Sequence, residues 1–535
     1  MLTMTSFPSL KKAILIAGIC LPIALKAQNG PAPKPNWQNL DLKTDTVFGI
    51  STEKAYSELL KGKPHVPVLV AVIDGGVDIN HEDLKRIIWT NPNEVAGNSN
   101  DDDKNGYTDD MHGWDFIGSA NGNEHYDNTE LVRCVRLYTA EFKGKDTTAL
   151  TGKEQTDFYA YQKMRTDLAG KVKKAQRIYA IITNFNEILK SMLSKIGKSD
   201  PVLSDFQSYE PQNNGEAYVK KIVVENLGSY KDMADFRKNE IDDGLKHFSE
   251  QLNYHYNVDF DPRSIVGDNY NDSSEHFYGN NDVTGPDAEH GTHVSGIIGA
   301  DRENNLGVMG VANDVRIMSV RTVPDGDERD KDVANAIRYA ANNGAKVINM
   351  SFGKSYSFDK KAVDEALKLA MSKDVLVIHA AGNDNQDNDK EPHFPTRIYQ
   401  DKSGEAAAWI EVGASGVNDD KTLKASFSNY GKTSVDVFAP GVKINSTTPN
   451  STYAPHDGTS MAAPVVSGLA ALIRSYYPKL TALQVKEIIL KSVVKVAHKV
   501  NLKVGDSERK VSFDELCVTG GVVNAYQALK LAATY

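Results

Sequence analysis

Runs of apolar residues that end at a polar residue or a turn recur along the chain. Residues 66–73 are almost continuously apolar and lead into Asp74, Gly75 and Gly76. Similar runs occupy residues 315–320, 346–349 and 375–380. A strand without apolar–polar alternation is typical of a parallel sheet that is covered on both faces. The pattern therefore predicts a buried parallel sheet.

Helical periodicity separates these strands. Apolar residues at three- and four-residue spacing predict helices at 332–343 and 362–372. Strands that alternate with helices indicate an α/β fold with crossover helices. Functional side chains gather at the carboxyl ends of such strands. Asp74, Ser351 and Asn383 each follow one of the apolar runs.

Residues 131–258 have no such strands. A long amphipathic helix is predicted from Phe158 to Leu189, and Gly197 and Pro201 end the pattern. We interpret this region as a mainly α-helical insertion. Because apolar stripes are usually buried, we expect this one to pack against the host domain.

The N-terminus has the pattern of a signal peptide. Two lysines precede a short apolar run, residues 13–25, and the small residue Ala27 follows it. The run is too short to span a bilayer, and Pro22 speaks against the alternative of a buried helix. We therefore expect cleavage after residue 27 and an exported protein, secreted, periplasmic or at the cell surface. Lipidation of Cys20 is the alternative, but Ile19 is a poor residue before a modified cysteine. No transmembrane anchor is expected after that cleavage.

Composition narrows the class of protein. The 535 residues are 40% hydrophobic and 25% charged, which excludes a polytopic membrane protein and a mainly disordered chain. The net charge of −10, without a basic block, argues against a nucleic-acid partner. Three cysteines cannot form a disulfide framework. Two buried thiols are the plainer interpretation of Cys134 and Cys517, and a single bridge between them is the alternative.

Two segments that open helices carry candidate chemistry. Gly458-Thr459-Ser460 precedes an apolar helical pattern, where a serine can act as a nucleophile near the helix dipole. The alternative is a simple N-cap. His290 or His293 could be the general base for that serine. Metal binding by the two histidines is the alternative, but the spacing of a metalloprotease helix is absent.

Two further residues complete a candidate constellation. Asp74 at a strand end can orient an imidazole, and the Asn383 amide can donate to a developing oxyanion. Either residue alone could be a turn residue that satisfies local backbone. The chain order Asp74, His290, Ser460 differs from the serine-first order of lipase-type hydrolases and is the subtilisin order.

Together, the four segments resemble those of the subtilisin-type serine peptidases, the subtilases. The resemblance covers about 66–130 and 260–535 and implies a parallel sheet of about seven strands between helices. It implies that Ser460 is the nucleophile, His290 its general base, Asp74 the residue that orients His290, and Asn383 an oxyanion donor. His293 is then a helix residue without a catalytic role.

The resemblance also implies a substrate cleft and an activity. The cleft residues would be Ser351, Phe352, Gly353, Ala380, Ala381 and Gly382, whose backbones could pair with an extended peptide. The expected function is an exported serine endopeptidase that cleaves proteins or peptides through an acyl-enzyme. A pseudo-peptidase that only binds proteins is the alternative, and the presence of all four residues favours the enzyme.

An acidic segment predicts a structural Ca²⁺ site. Asp101, Asp103 and Asn105 stand at positions 1, 3 and 5 before Gly106, as in a calcium loop, and Tyr107 and Asp109 are further candidate ligands. His112 occupies position 12, where a bidentate glutamate is usual. A solvated acidic turn is the alternative.

The predicted organisation has five parts. They are a signal peptide (1–27), a leader (28–65), the first part of a catalytic domain (66–130), a helical insertion (131–258) and the second part of the catalytic domain (259–535).

Overall fold

The computed structural model describes residues 33–505 and 507–535, which divide into two compact units. The smaller unit is Leu131–Phe260; the larger one contains the described residues before it and Asp261–Tyr535. The predicted signal peptide lies outside the described residues. Among the described helices, none is both long and apolar enough for a membrane crossing. Cys134 and Cys517 are both buried thiols.

The strands of the described residues all belong to the larger unit. In chain order they are β1 (Val68–Asp74), β2 (Gly113–Asp115), β3 (Gly118–Ser119), β4 (Gly122–Asn123), β5 (Val315–Arg321), β6 (Val347–Met350), β7 (Leu376–Ala380), β8 (Trp409–Ser415), β9 (Val437–Pro440), β10 (Ile444–Thr448), β11 (Thr452–His456), β12 (Val494–Lys495), β13 (Val500–Val504), β14 (Ser507–Val511) and β15 (Gly521–Val522).

Nine of these strands form one sheet in the order β12-β15-β9-β8-β7-β6-β1-β5-β2. All its neighbouring pairs are parallel except β12 and β15, which are antiparallel. The sheet has two strands more than the seven implied by the resemblance, and its two edge strands, β12 and β2, are both short. The remaining strands form two-stranded hairpins.

Both faces of the sheet are buried, which explains the uninterrupted apolar runs. In β1, Val68, Val70 and Val72 contribute to one core cluster, while Ala71 and Ile73 contribute to the other. Helices cover the two faces. The α-helices of the larger unit after the insertion are Glu289–Gly299, Asp330–Asn342, Lys360–Ser372, Thr459–Tyr476, Ala482–Lys491 and Ala525–Ala532, and two short ones, Leu42–Asp45 and Thr52–Ala55, precede β1.

The smaller unit is helical. Its α-helices are Glu130–Phe142 (whose first residue belongs to the larger unit), Gly152–Ile196, Leu203–Ser208, Asn214–Asn226, Met233–Arg237 and Asp243–Glu250. The long helix ends at Gly197, whose φ of +71° is the left-handed conformation that glycine tolerates.

The apolar stripe of the long helix packs within the smaller unit. From Ala175 to Met192 it shares a core with residues of the following helices, such as Phe206, Val223 and Phe236. Our expectation that the stripe packs on the host domain is therefore wrong for this part of the helix. Periodicity identifies the buried face of a helix but not what covers it.

The two chain ends that border the smaller unit meet at one arginine of the larger unit. Arg329 donates to Asp127 at 2.7 Å and to Asp261 at 3.0 Å. Beside it, Arg263 makes a bidentate pair with Asp332, with both bonds at 2.7 Å. An insertion whose ends lie together can be accommodated without disturbing the sheet.

Candidate active site

The carboxyl ends of three adjacent strands bring the first candidate residues together. β1 ends at Asp74, β6 ends just before Ser351, and β7 ends three residues before Asn383. Because β1, β6 and β7 are neighbours in the sheet, these residues lie along one edge. The three residues thus lie at the carboxyl ends of their strands, where the sequence pattern predicts functional side chains.

Asp74 and His290 form a close pair. His290 Nδ1 lies 2.9 Å from Asp74 Oδ1 and 3.0 Å from Oδ2. The approach depends on Gly291, because a Cβ there would lie 2.2 Å from the carbonyl oxygen of Gly76. An ionised carboxylate only accepts, so Nδ1 carries the hydrogen and Nε2 is left as a potential base.

The charge environment of His290 favours its protonated form. Burial lowers the His290 pKa, but the charge and hydrogen bond of Asp74 raise it, and the charges of Asp287 and Glu289 raise it further. The net pKa lies above the usual 6.5. The side chain is nevertheless 45% exposed, which leaves the ring accessible to a substrate.

Ser460 is the second residue of the helix Thr459–Tyr476. Its hydroxyl donates to the Ser351 carbonyl at 2.9 Å, and the Ser351 hydroxyl donates to the Ser460 carbonyl at 3.0 Å. The N-cap position is taken by Gly458, so Ser460 does not cap this helix. Its backbone N–H is one of the first-turn amides without an intrahelical acceptor.

The Asn383 amide is held in one orientation. Its Oδ1 accepts from the backbone N–H of Thr459 at 2.9 Å and from the Thr459 hydroxyl at 3.0 Å. The same hydroxyl accepts from the Gly382 N–H at 3.1 Å. Asn383 Nδ2 thus points away from these bonds and remains a donor. Sequence reasoning missed Thr459 as a positioning residue, although it stands beside Ser460 in the motif.

The two predicted cleft segments differ in what their backbones can do. Ala381 donates to Val412 O at 3.0 Å and its carbonyl accepts from Asn388 at 2.8 Å, while the Gly382 carbonyl accepts from Asn429 at 2.9 Å. Ala380 is also a sheet residue. These groups are already paired, so residues 380–382 can form a wall but not a new strand partner.

The other cleft segment is more open. Phe352 and Gly353 are only partly buried, and the carbonyl of Ser351 accepts the Ser460 hydroxyl. Strand-like pairing with a peptide is therefore expected beyond Ser351, at Phe352 and Gly353, and not at both segments as the sequence suggested.

His293 has a structural environment. It is fully buried, its Nε2 lies 2.9 Å from the Ala454 carbonyl, and its ring centroid lies 4.3 Å from that of His456 with the rings tilted by 33°. Burial, with the nearby His456, lowers its pKa to about 3. One ring nitrogen of each histidine is therefore occupied, His290 Nδ1 by Asp74 and His293 Nε2 by the Ala454 carbonyl.

The acidic loop gathers three carboxylates. Oxygen atoms of Glu94, Asp101 and Asp103 lie within 4.8 Å of one another. Glu94 is 7% exposed; its Oε1 accepts from the amides of Asp102 and Asp103, and its Oε2 is buried without a hydrogen-bond partner. An orphaned buried carboxylate oxygen beside two further carboxylates fits a hard cation such as Ca²⁺.

The other three predicted ligands do not add a side-chain oxygen to this carboxylate cluster. Asn105 is used within the loop, where Oδ1 accepts from the Tyr107 amide and Nδ2 donates to Asp103 and Asp110. The Tyr107 ring is buried, so only its main-chain carbonyl could be a ligand. Asp109 accepts from the amides of residues 97–99 and is outside the cluster. Glu94 was missed because it lies outside the loop spacing.

Comparisons with known proteins show what the chain is similar to. Residues 241–512 match the family model described as the Subtilase family. A thermophilic serine proteinase of Bacillus sp. (strain AK1) is 42% identical over 35% of this chain and 42% of its own length. Subtilisin BL of Lederbergia lenta is 36% identical over 37% of this chain and 67% of its own length. The chain thus spans less than half of the first relative and two thirds of the second.

A solved structure of a protease from Pseudoalteromonas arctica also matches. It is 29% identical, covers 48% of this chain and 74% of its own, and has a TM-score of 0.37.

Proposed function

Because the chain belongs to the subtilase family of serine-type endopeptidases, we propose that it hydrolyses peptide bonds through an acyl-enzyme on Ser460. The observation that carries the proposal is the Asp74–His290 pair, whose bond at 2.9 Å leaves Nε2 as the free base nitrogen. The substrates would be proteins or peptides.

The proposed chemistry starts at the Ser460 hydroxyl. In the free protein this hydroxyl donates to the Ser351 carbonyl, so it must turn toward His290 when a substrate binds. Catalytic hydrogen bonds often tighten only in the substrate complex. His290 Nε2 then takes the proton as Oγ attacks the carbonyl carbon, and it returns that proton to the leaving amine. Water, activated by the same nitrogen, releases the acyl group.

Two donors would stabilise the oxyanion. They are the Nδ2 of Asn383, oriented by Thr459, and the backbone N–H of Ser460 at the start of its helix. Both are positioned before the reaction, so little reorganisation is needed when the charge develops. Removal of one such donor in a subtilisin costs about 10²–10³ in kcat.

Glu94, Asp101 and Asp103 would hold a structural Ca²⁺. The ion would neutralise three clustered carboxylates and fix the loop that carries them. This loop rests on the core through Tyr107, whose ring contacts Trp114 and Tyr339 at 5.1 and 5.0 Å. The proposed role is stability of the fold, without a part in the reaction.

Export through the residue 1–27 signal is part of the proposal. The mature chain would consist of the catalytic domain, split around the helical insertion, and a short leader before β1. Expression of the full chain with its own signal in a bacterial host tests this. The intact mass of the exported protein should correspond to a start at Gln28, whereas a retained N-terminus would contradict the export signal.

The activity is tested by hydrolysis of a fluorogenic peptide library with purified protein. Ser460→Ala should abolish hydrolysis and keep the unfolding midpoint of the unchanged protein. A folded unchanged protein that cleaves no peptide would favour the second candidate, a pseudo-peptidase that only binds proteins. The intact Asp74–His290 pair favours the enzyme.

A further inference from the structure

A histidine side chain closes the space between the two chain segments beside Ser460. A Cβ on Gly353 would lie 2.2 Å from His393 Nε2, and a Cβ on Gly382 would lie 3.1 Å from its Cε1. Gly353 is two residues beyond the Ser351 carbonyl that accepts the Ser460 hydroxyl. The imidazole therefore lies against both segments, and the absence of side chains at the two glycines makes its approach possible.

Backbone pairing holds His393 in this place. Phe394 N donates to Lys354 O at 2.8 Å and Lys354 N donates to Phe394 O at 2.9 Å. The bridge fixes residue 393 beside Gly353, although it is 40 positions later in the chain. Within the described part of the protein, neither ring nitrogen of His393 has a hydrogen-bond partner.

A second histidine and a glutamate stand behind the first. The His379 ring centroid is 5.7 Å from that of His393, and its Nδ1 is 3.0 Å from both Glu411 oxygens. Trp409 Nε1 also donates to Glu411. His379 is fully buried, and its Nε2 has no hydrogen-bond partner.

The pair of imidazoles is thus polar and unsatisfied. Burial, with the neighbouring His379, lowers the pKa of His393 to about 3, so the free protein holds this ring neutral at pH 7. A neutral imidazole keeps one N–H donor. His379 Nε2 is a fully buried polar atom without a partner, which is rare in folded proteins, whereas His393 is only partly buried, so part of its side chain is accessible.

A side chain of the bound substrate can supply the hydrogen-bond partner of His393. With the reacting carbonyl held between Ser460 and Asn383, the side chain of the same residue enters the slot between the two glycine-bearing segments. It then ends against His393. We propose that His393 is the floor of this pocket and selects side chains that end in a carbonyl oxygen, carboxylate or amide, on the acyl side of the scissile bond.

Other side chains fit less well. An apolar side chain would leave the His393 N–H without a partner in a desolvated pocket. A cationic side chain would find only a neutral imidazole nitrogen as acceptor and no free carboxylate to compensate its charge, because Glu411 already accepts from His379 and Trp409. The inference rests on the proposed endopeptidase function and names the class of residue that the same site accepts.

The test compares peptides that differ only in the residue before the scissile bond: Glu, Gln, Met and Lys. We expect kcat/KM for Gln or Glu to exceed that for the nearly isosteric Met by about tenfold or more. His393→Gly should lower the Gln-to-Met ratio by about tenfold. His498→Gly, at a histidine that bonds Asp419, is the control and should leave the ratio unchanged.

The Gln-to-Met ratio of kcat/KM within one preparation does not depend on the fraction of folded protein. Partial misfolding of His393→Gly therefore does not affect the comparison. A preference for Met or Lys in the unchanged protein, or an unaltered ratio in His393→Gly, would overturn the inference. If the folded protein neither cleaves any peptide nor reacts with a fluorophosphonate, the proposed function itself fails, and the inference falls with it. A kcat/KM that is higher for the Glu peptide than for the Gln peptide identifies a carboxylate as the preferred oxygen donor group of the substrate. The reverse order identifies an amide.

Discussion

The Thr459 hydroxyl links the backbone of the cleft wall to the proposed oxyanion donor. It accepts from Gly382 N–H at 3.1 Å and donates to Asn383 Oδ1 at 3.0 Å, and Thr459 is 1% exposed. Thr459→Val removes the hydroxyl and keeps the shape of the side chain. The substitution therefore separates the hydrogen bonds from the packing.

Two effects of Thr459→Val can be estimated. Loss of the bond to Asn383 loosens the amide, and a hydrogen bond of about 0.5–1.5 kcal/mol corresponds to a fall in kcat of about 2-fold to 10-fold. The Gly382 N–H is left buried without an acceptor, which costs about 1–3 kcal/mol of unfolding free energy. KM should change little, because the ground-state carbonyl gains less from the donor than the oxyanion.

The assay is kcat and KM on one peptide substrate, with active sites titrated, together with urea unfolding. Thr459→Ser restores the hydroxyl and should recover most of kcat and of the stability. The reasoning is refuted if the valine and serine variants have the same kcat, or if the valine variant changes KM alone.

Three further predictions concern pH, metal and stability. Because Asp74 raises the His290 pKa above 6.5, His290 becomes protonated and can no longer act as a base as the pH falls through that value. The kcat/KM for a peptide without titrating groups should therefore decline on the acid side around a pH above 6.5. A decline centred at or below pH 6.5 would contradict the pairing of Asp74 with His290. Ca²⁺ at about 100 times its Kd should raise the free energy of unfolding by about 2.7 kcal/mol relative to protein treated with a chelator. Glu94→Gln should reduce this stabilisation. An equal stabilisation in the variant would exclude Glu94 as a ligand. Arg263 is buried between Asp332 and Asp268, so Asp332→Asn leaves it with one carboxylate partner and should cost about 1–3 kcal/mol in urea unfolding; an unaltered midpoint in the variant would contradict the estimate.

Local pattern was enough for the elements that carry the chemistry. The apolar run before Asp74 predicted a buried strand, and β1 ends at that residue. The apolar periodicity after Ser460 predicted a helix, which begins at Thr459. Both features depend on neighbours in the chain, where period and turn residues are informative.

Long-range contacts were beyond the sequence. Glu94 joins Asp101 and Asp103 only because the loop folds back, and no spacing rule places it there. His393 reaches Gly353 through the pairing of Phe394 with Lys354, which has no signal in either segment alone. The long helix of the smaller unit shows the same limit, since its stripe was evident while its packing partner was not.

The site of covalent modification tests the account most directly. Folded protein is treated with a fluorophosphonate, digested, and mapped by mass spectrometry. The account predicts one adduct, on the peptide that contains Ser460, and none in Ser460→Ala of equal unfolding midpoint. No adduct in the folded protein, or an adduct on another serine, would contradict Ser460 as the nucleophile.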